Sequence, residues 1–109
     1  MAVEIRLLGA DLVNTATTTV LYTVPPTVAG AVVYNVRMVN TGGAQTNVNL
    51  FFKPNAGAQV SILDKDKLIP SNNILVVKPN LTMAPSDKIE LVTTGTPSIE
   101  WVVCGVEKL

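Results

Sequence analysis

The sequence has no histidine and only one cysteine, Cys104, among its 109 residues. Without histidine, the commonest acid–base group and metal ligand of proteins is missing, and a Ser-His-acid triad is excluded. A single cysteine excludes an internal disulfide and the thiolate clusters of structural zinc sites. The strand context of Cys104 predicts a small buried apolar side chain rather than a nucleophile. We therefore expect neither an enzyme nor a protein with a metal or another cofactor.

The charge content is low and balanced. Charged residues make up 15% of the chain, eight basic against eight acidic, so the formal net charge is zero. A typical soluble domain has about 25% charged residues, and a protein with no net charge tends to associate. The basic residues are scattered and form no positive surface for nucleic acid. The composition predicts that other subunits cover part of the surface; the alternative is a free surface of Thr, Asn and Ser.

Long apolar runs are absent as well. The start of the chain, MAVEIRLLGADL, lacks the apolar core of a signal peptide because Glu4 and Arg6 interrupt it. No stretch approaches the roughly 20 apolar residues of a membrane-spanning helix. We expect a protein that is made and assembled in the cytoplasm and has no membrane partner.

Strand-forming residues dominate what is present. Valine and threonine together number 29, and both are β-branched residues that favour strands. No window shows a sustained apolar period of 3.6 residues, whereas alternation at period two recurs along the chain. Gly and Pro interrupt this alternation about every 10 residues, which indicates a β-sandwich or barrel of seven or eight strands.

The clearest predicted unit is a β-hairpin over residues 32–53. One face of its first strand contains Val32, Tyr34, Val36 and Met38, and the inward face of its second strand contains Thr46, Val48, Leu50 and Phe52. The glycines of the intervening segment 40–44 permit the positive φ that a hairpin turn needs.

The other predicted strands follow the same pattern. They are residues 2–8, 16–24, 58–63, 73–78, 88–94 and 98–106, and the turns between them include Pro25-Pro26, 54–57, 64–67, 83–87 and 95–97. Alternation places Thr18, Val20, Tyr22 and Val24 on one side of their strand, and Ile99, Trp101 and Val103 on one face of theirs. Residues 1–13 are either an edge strand of this sandwich or an arm that adds a strand to a neighbour's sheet.

Few residues are candidates for chemistry. Asp64 and Asp66 match half of a calcium loop, but the other ligands of such a loop are absent and a solvated bend is expected. Asp87, Glu90 and Glu100 lie near strands, yet nothing in the sequence brings two of them to one groove. No residue is therefore predicted to be catalytic, cofactor-binding or metal-binding.

Three segments resemble a known group of proteins. They are Leu21-Tyr22-Thr23-Val24-Pro25, the Val-rich strand 32–40 with Thr41-Gly42-Gly43, and Leu81 followed by Ser86-Asp87-Lys88-Ile89. Together they resemble small β-sandwich virion structural proteins of tailed bacteriophages. The resemblance implies a particle component, either a capsid decoration (cement) protein that bridges major capsid subunits or a tail or neck component.

We therefore expect residues 1–109 to form a single antiparallel β-sandwich, jelly-roll-like, that works in the virion after assembly in the host cytoplasm. The expected partners are the major capsid protein or other virion proteins. A homo-oligomer is also expected, and a trimer is favoured because cyclic symmetry lets one unit sit on a local threefold axis.

The expected contact residues are Leu8, Leu12, Tyr34 and Phe51. Phe51 is the strongest of them because alternation points it away from the face of Leu50 and Phe52; its alternative is a second core. A carbohydrate- or receptor-binding β module is the alternative function. Trp101 could stack on a sugar in such a module, although its apolar strand position favours the core.

Overall fold

The computed structural model describes residues 3–95 and 97–109, with side chains described from residue 7 onward. These residues form ten strands: β1 (Val3–Val13), β2 (Thr18–Thr23), β3 (Gly30–Asn40), β4 (Thr46–Lys53), β5 (Val60–Ser61), β6 (Lys67–Ile69), β7 (Ile74–Val77), β8 (Leu81–Met83), β9 (Lys88–Thr93) and β10 (Ile99–Lys108). Residue 2 of the first predicted strand and Thr96 of the last predicted turn lie outside the described residues. None of the described segments is a helix long and apolar enough to cross a membrane.

The strands form two antiparallel sheets that pack face to face. Sheet A has the order β1-β10-β3, with β7 and β8 both beside β3; sheet B has the order β2-β9-β4, with β5 and β6 both beside β4. β1 therefore pairs with β10, β2 with β9, β3 with β7 and β8, and β4 with β5 and β6. This nested pairing of early strands with late strands is the winding of a jelly roll. The predicted antiparallel β-sandwich is confirmed. The described residues form ten strands rather than seven or eight because two positions of the winding are each filled by two short strands.

The predicted hairpin over residues 32–53 is wrong. β3 lies in sheet A and β4 lies in sheet B, so the segment between them crosses from one sheet to the other. The buried Asn40 side chain holds this crossing: its amide N–H groups donate to the carbonyls of Ala44 and Ile69, and its oxygen accepts from the Gly42 N–H. Alternation predicts which face of a strand is buried, but it does not predict which strands are neighbours.

The core lies between the two sheets and agrees with most of the predicted faces. Thr46, Val48 and Leu50 are buried in β4, and Phe52 packs partly buried against the core. In β10, the predicted face of Ile99, Trp101 and Val103 is buried. Trp101 is thus a core residue, as the sequence indicates.

Two β-bulges change the predicted faces of β2 and β3. In β3 the extra residue is Tyr34, because Val33 pairs with Gly105 and Asn35 pairs with Cys104. Val36 and Met38 are buried together, whereas Tyr34 is exposed and Val32 is half-buried on the outward side. In β2 the extra residue is Leu21, so that Leu21 and Tyr22 are both buried and Val20 is exposed. A bulge reverses the parity of alternation on one side of it.

Several strand boundaries also differ from the predicted ones. β1 continues past residue 8 to Val13 and pairs along β10 as an edge of sheet A. The predicted strand 58–63 is reduced to β5, and Lys67 of the predicted bend begins β6. β10 continues past residue 106, where the predicted strand ends, to Lys108.

Candidate interaction surface

Three of the acidic side chains singled out in the sequence, Asp66, Asp87 and Glu90, make hydrogen bonds within the fold. Asp87 is 8% exposed and accepts hydrogen bonds from the backbone N–H groups of Asn55 (3.0 Å) and Ala84 (2.9 Å). It thereby ties the turn after β4 to the turn before β9. Asp66 exchanges two hydrogen bonds with Asn49 at the surface. Within the described residues, no group of three His, Cys, Asp or Glu side chains is placed to hold a metal ion.

Cys104 is exposed, which corrects the prediction of a buried side chain. In β10 the side chains that face the core include Trp101 and Val103, and Cys104 has the opposite parity. It points outward between its register partners, Leu7 of β1 and Asn35 of β3. The sequence context identified the strand but not the face of the strand that Cys104 occupies.

The outward surface of sheet A is broad and mostly apolar, and we call it face A. Side chains directly opposite each other on neighbouring strands share one face, so the register defines its rows. The rows are Leu12, Glu100, Val39 and Ile74; Ala10, Val102, Arg37 and Val76; Leu7, Cys104 and Asn35; and Val106, Val32 and Thr82. Among the described residues nine large apolar side chains are exposed, and five of them belong to face A: Leu7, Leu12, Tyr34, Ile74 and Val76.

The rows of face A contain two described charged side chains, Arg37 and Glu100. They are diagonal neighbours on β3 and β10 and have opposite charges. In the part of the chain that the structure describes, neither of them makes an ion pair or a side-chain hydrogen bond. Two exposed lysines lie beyond the rows, Lys78 after β7 and Lys108 at the end of β10.

A groove of about 730 Å³ lies at one end of face A. Its walls include Val32, Tyr34 and Val106, and its polar members are Thr82, Asp87 and Lys108. Tyr34 projects from the bulge of β3 and is 48% exposed, so its ring is accessible to a partner at this end.

A second groove lies on the outward surface of sheet B, on the opposite side of the sandwich. It has a volume of about 390 Å³ and is lined by Asn49, Phe51, Gln59, Ser61, Lys65 and Val92; we call it the Phe51 groove. Phe51 is half-buried opposite Glu90 of β9. Glu90 is 7% exposed although it faces outward, and its Oε1 accepts a hydrogen bond of 2.7 Å from Gln59 Nε2. The groove thus combines one aromatic ring with several polar groups.

The four predicted contact residues lie in three environments. Leu12 and Tyr34 are exposed on face A, and Phe51 lines the Phe51 groove. Leu8 is the extra residue of a bulge in β1 and packs partly buried against the core. The structure therefore brings two of the four onto one surface.

Sequence reasoning missed Leu7, Ile74 and Val76 as members of that surface. The bulge at Leu8 turns Leu7 outward, and a bulge cannot be read from one strand alone. The sequence did contain an indication for Ile74 and Val76, because the β7 segment is Ile-Leu-Val-Val and has no polar residue. A short strand that is apolar on both faces is typical of one that is covered on both faces.

Comparisons with known proteins identify the fold. No protein-family model matches the sequence, and no curated protein matches it. A chain of the T13 viral particle of infectious bursal disease virus matches 98% of this chain with a TM-score of 0.62 and 11% identity. A chain of the Gx strain of that virus matches 97% with a TM-score of 0.57 and 10% identity. The protein PirA matches 94% with a TM-score of 0.52 and 10% identity.

The share of each matched chain differs between these structures. The present chain spans 31% and 32% of the two virus chains, but 92% of PirA. The same sandwich thus occurs as one part of a viral particle chain and as nearly the whole of another protein. At 10 to 11% identity the likeness shows the shared fold and transfers no residue roles.

Proposed function

We propose that this chain is a non-catalytic structural protein of a virion, most specifically a capsid decoration protein that bridges major capsid subunits. The observation that carries the proposal is face A, a broad apolar surface on a small β-sandwich. Exposed apolar patches of this kind mark sites of contact with other molecules. The fold shared with chains of the infectious bursal disease virus particle supports the same role.

Decoration needs contacts and no reaction. A protein that binds the assembled particle more tightly than its separated subunits stabilises the particle by mass action. Several interfaces of moderate area are sufficient for this. Because face A and the Phe51 groove lie on opposite sides of the sandwich, the chain can contact two neighbours at once.

The proposal includes the contact residues and the assembly. Leu12 and Tyr34 are proposed to contact a neighbour through face A, and Phe51 through its groove on the other side. Leu8 belongs to the same set because it adjoins the exposed Leu7 in β1. We further propose a homo-oligomer with a trimer favoured, located in the virion after assembly in the host cytoplasm.

Two alternatives differ in their partners. A tail or neck component of a tailed bacteriophage predicts binding to tail assemblies rather than to capsids. A carbohydrate- or receptor-binding module is favoured by one observation, the Phe51 groove, where a ring lies beside amide, hydroxyl and amine groups. Trp101 does not support that alternative because it is 6% exposed in the core.

A binding experiment with virus particles tests the proposal. Capsids assembled without this protein are mixed with the purified chain, sedimented, and then heated. We expect co-sedimentation that saturates at a fixed ratio to capsid subunits, and capsids that withstand a higher temperature. Binding to purified tails alone would establish the tail or neck alternative. Glycan binding that is lost in Phe51→Ala, without binding to any virion part, would establish the carbohydrate module.

A further inference from the structure

We infer that face A is covered by a second copy of this chain. The inference names the surface through which copies associate, and it stands whether or not the chain belongs to a virion. Its first support is β7, where Leu75 and Val77 pack against the core while Ile74 and Val76 are 48% and 43% exposed. A strand with one face in water normally alternates apolar and polar residues. β7 has the composition of a strand that is covered on both sides.

The area of face A is sufficient for a stable association. From their exposed fractions, its side chains present on the order of 1,000 Å² to solvent, whereas each partner in a standard interface buries about 800 Å². Its two middle rows combine four Val, Leu or Ala side chains with Arg37, Cys104 and Asn35, and the exposed Lys78 and Lys108 lie beyond the rows. In protein–protein interfaces Arg is enriched and Lys is depleted, which agrees with this arrangement.

The charges of face A identify the partner as another copy. Arg37 and Glu100 have opposite signs, lie close together and make no pair within the described chain. In a pair of copies related by a two-fold axis, face A lies against face A, and Arg37 of each copy can lie against Glu100 of the other. An unrelated partner would need the matching acid and base, which this chain already has. Since the net charge is zero, overall repulsion between copies does not oppose the contact.

Exchanging charges between copies tests the inference. Arg37→Glu gives face A two acids and Glu100→Arg gives it two bases, so each variant alone repels its own copies. When the two variants are mixed, the acids on face A of one variant can lie against the bases on face A of the other. The two charges within each chain still have the same sign. We expect light scattering to show an oligomer for the natural chain, roughly tenfold weaker association for each variant alone, and recovery of the oligomer in the equimolar mixture.

A matched pair of substitutions tests the apolar part of the same surface. Ile74 and Leu68 are similarly exposed, at 48% and 43%, but lie on sheet A and sheet B respectively. We expect Ile74→Lys to weaken association at least about tenfold, and Leu68→Lys to leave it unchanged. Circular dichroism establishes that both variants are folded before their masses are compared.

The results that would overturn this inference differ from the results that would overturn the proposed function. A natural chain that stays monomeric overturns the inference, as does an oligomer weakened by Leu68→Lys but not by Ile74→Lys. If a monomeric chain binds capsids and Ile74→Lys abolishes that binding, capsid protein is the occupant, so the inference fails and the proposed function holds. If copies associate through face A and bind no virion part, the inference holds and the proposed function fails.

Discussion

At the scale of single residues, buried polar side chains hold the loops that join the two sheets. Asn40 is 0% exposed and makes three hydrogen bonds of 2.8 to 3.0 Å to the backbone of neighbouring loops. Asp87 does the same for the turns around β4 and β9. Backbone groups in such places cannot reach water, so a side chain must satisfy them. These polar residues of the turns are therefore structural.

Replacing Asn40 tests this role. Asn40→Ala leaves two carbonyls and one N–H without their partner, and each buried polar group left unsatisfied costs about 1–3 kcal/mol. We expect the free energy of unfolding, measured by urea denaturation, to fall by about 3 kcal/mol. Asn47→Ala is the control, because Asn47 is half-buried and makes no side-chain hydrogen bond in the described part of the chain. A similar loss in both variants would contradict the assignment.

At the scale of strands, bulges decide which side chains point outward from each sheet. The extra residues are Leu8 in β1, Leu21 in β2 and Tyr34 in β3. Alternation placed Val36 and Met38 on one face, and both are buried, but it placed the exposed Tyr34 on the same face. The position of a bulge depends on the neighbouring strand, which is 59 or more residues away in the chain for β3 and β10. The residue pattern of one strand therefore cannot predict where a bulge lies.

Gly105 allows the bulge of β3, and its replacement tests that geometry. A Cβ at Gly105 would overlap the carbonyl oxygen of Val32, so the backbone of β10 or β3 has to move. We expect Gly105→Ala to lower the free energy of unfolding by about 1–3 kcal/mol, the usual cost of overpacking. Gly43→Ala is the matched control because nothing lies within 4 Å of its Cβ. A Gly105→Ala protein as stable as the control would show that the bulge is not as described.

At the scale of the whole molecule, jelly-roll winding pairs the two ends of the chain. The composition and the alternation of residue types along each strand were enough to predict a β-sandwich, because they indicate which side chains are buried. These features could not predict that the chain crosses from sheet A to sheet B after Asn40, because strands that pair in a jelly roll are distant in sequence. Face A was predicted only in part: Leu12 and Tyr34, two of the predicted contact residues, lie exposed on it, whereas Ile74 and Val76 could be placed there only from the position of β7 beside β3.

Removal of the first strand tests how the ends depend on each other. β1 pairs along the length of β10, Val13 is 3% exposed, and a Cβ at Gly9 would lie 3.1 Å from the Trp101 ring. We expect a chain without residues 1–13 to lose cooperative unfolding, because β10 and the core beside it would be uncovered. Circular dichroism during heating measures this. A truncated chain that folds normally and fails only to bind particles would instead identify the segment as an arm.

The accessibility of Cys104 tests most directly the claim that this protein acts by covering face A. Cys104 is the one cysteine of the chain, and it lies in a middle row of face A, exposed in the isolated subunit. The measurement is the rate at which a thiol reagent labels it as protein concentration rises, with Ile74→Lys as the uncovered reference. We predict that labelling slows as copies associate, while the variant stays fast. Equally fast labelling at every concentration, and also on virus particles, would contradict the account.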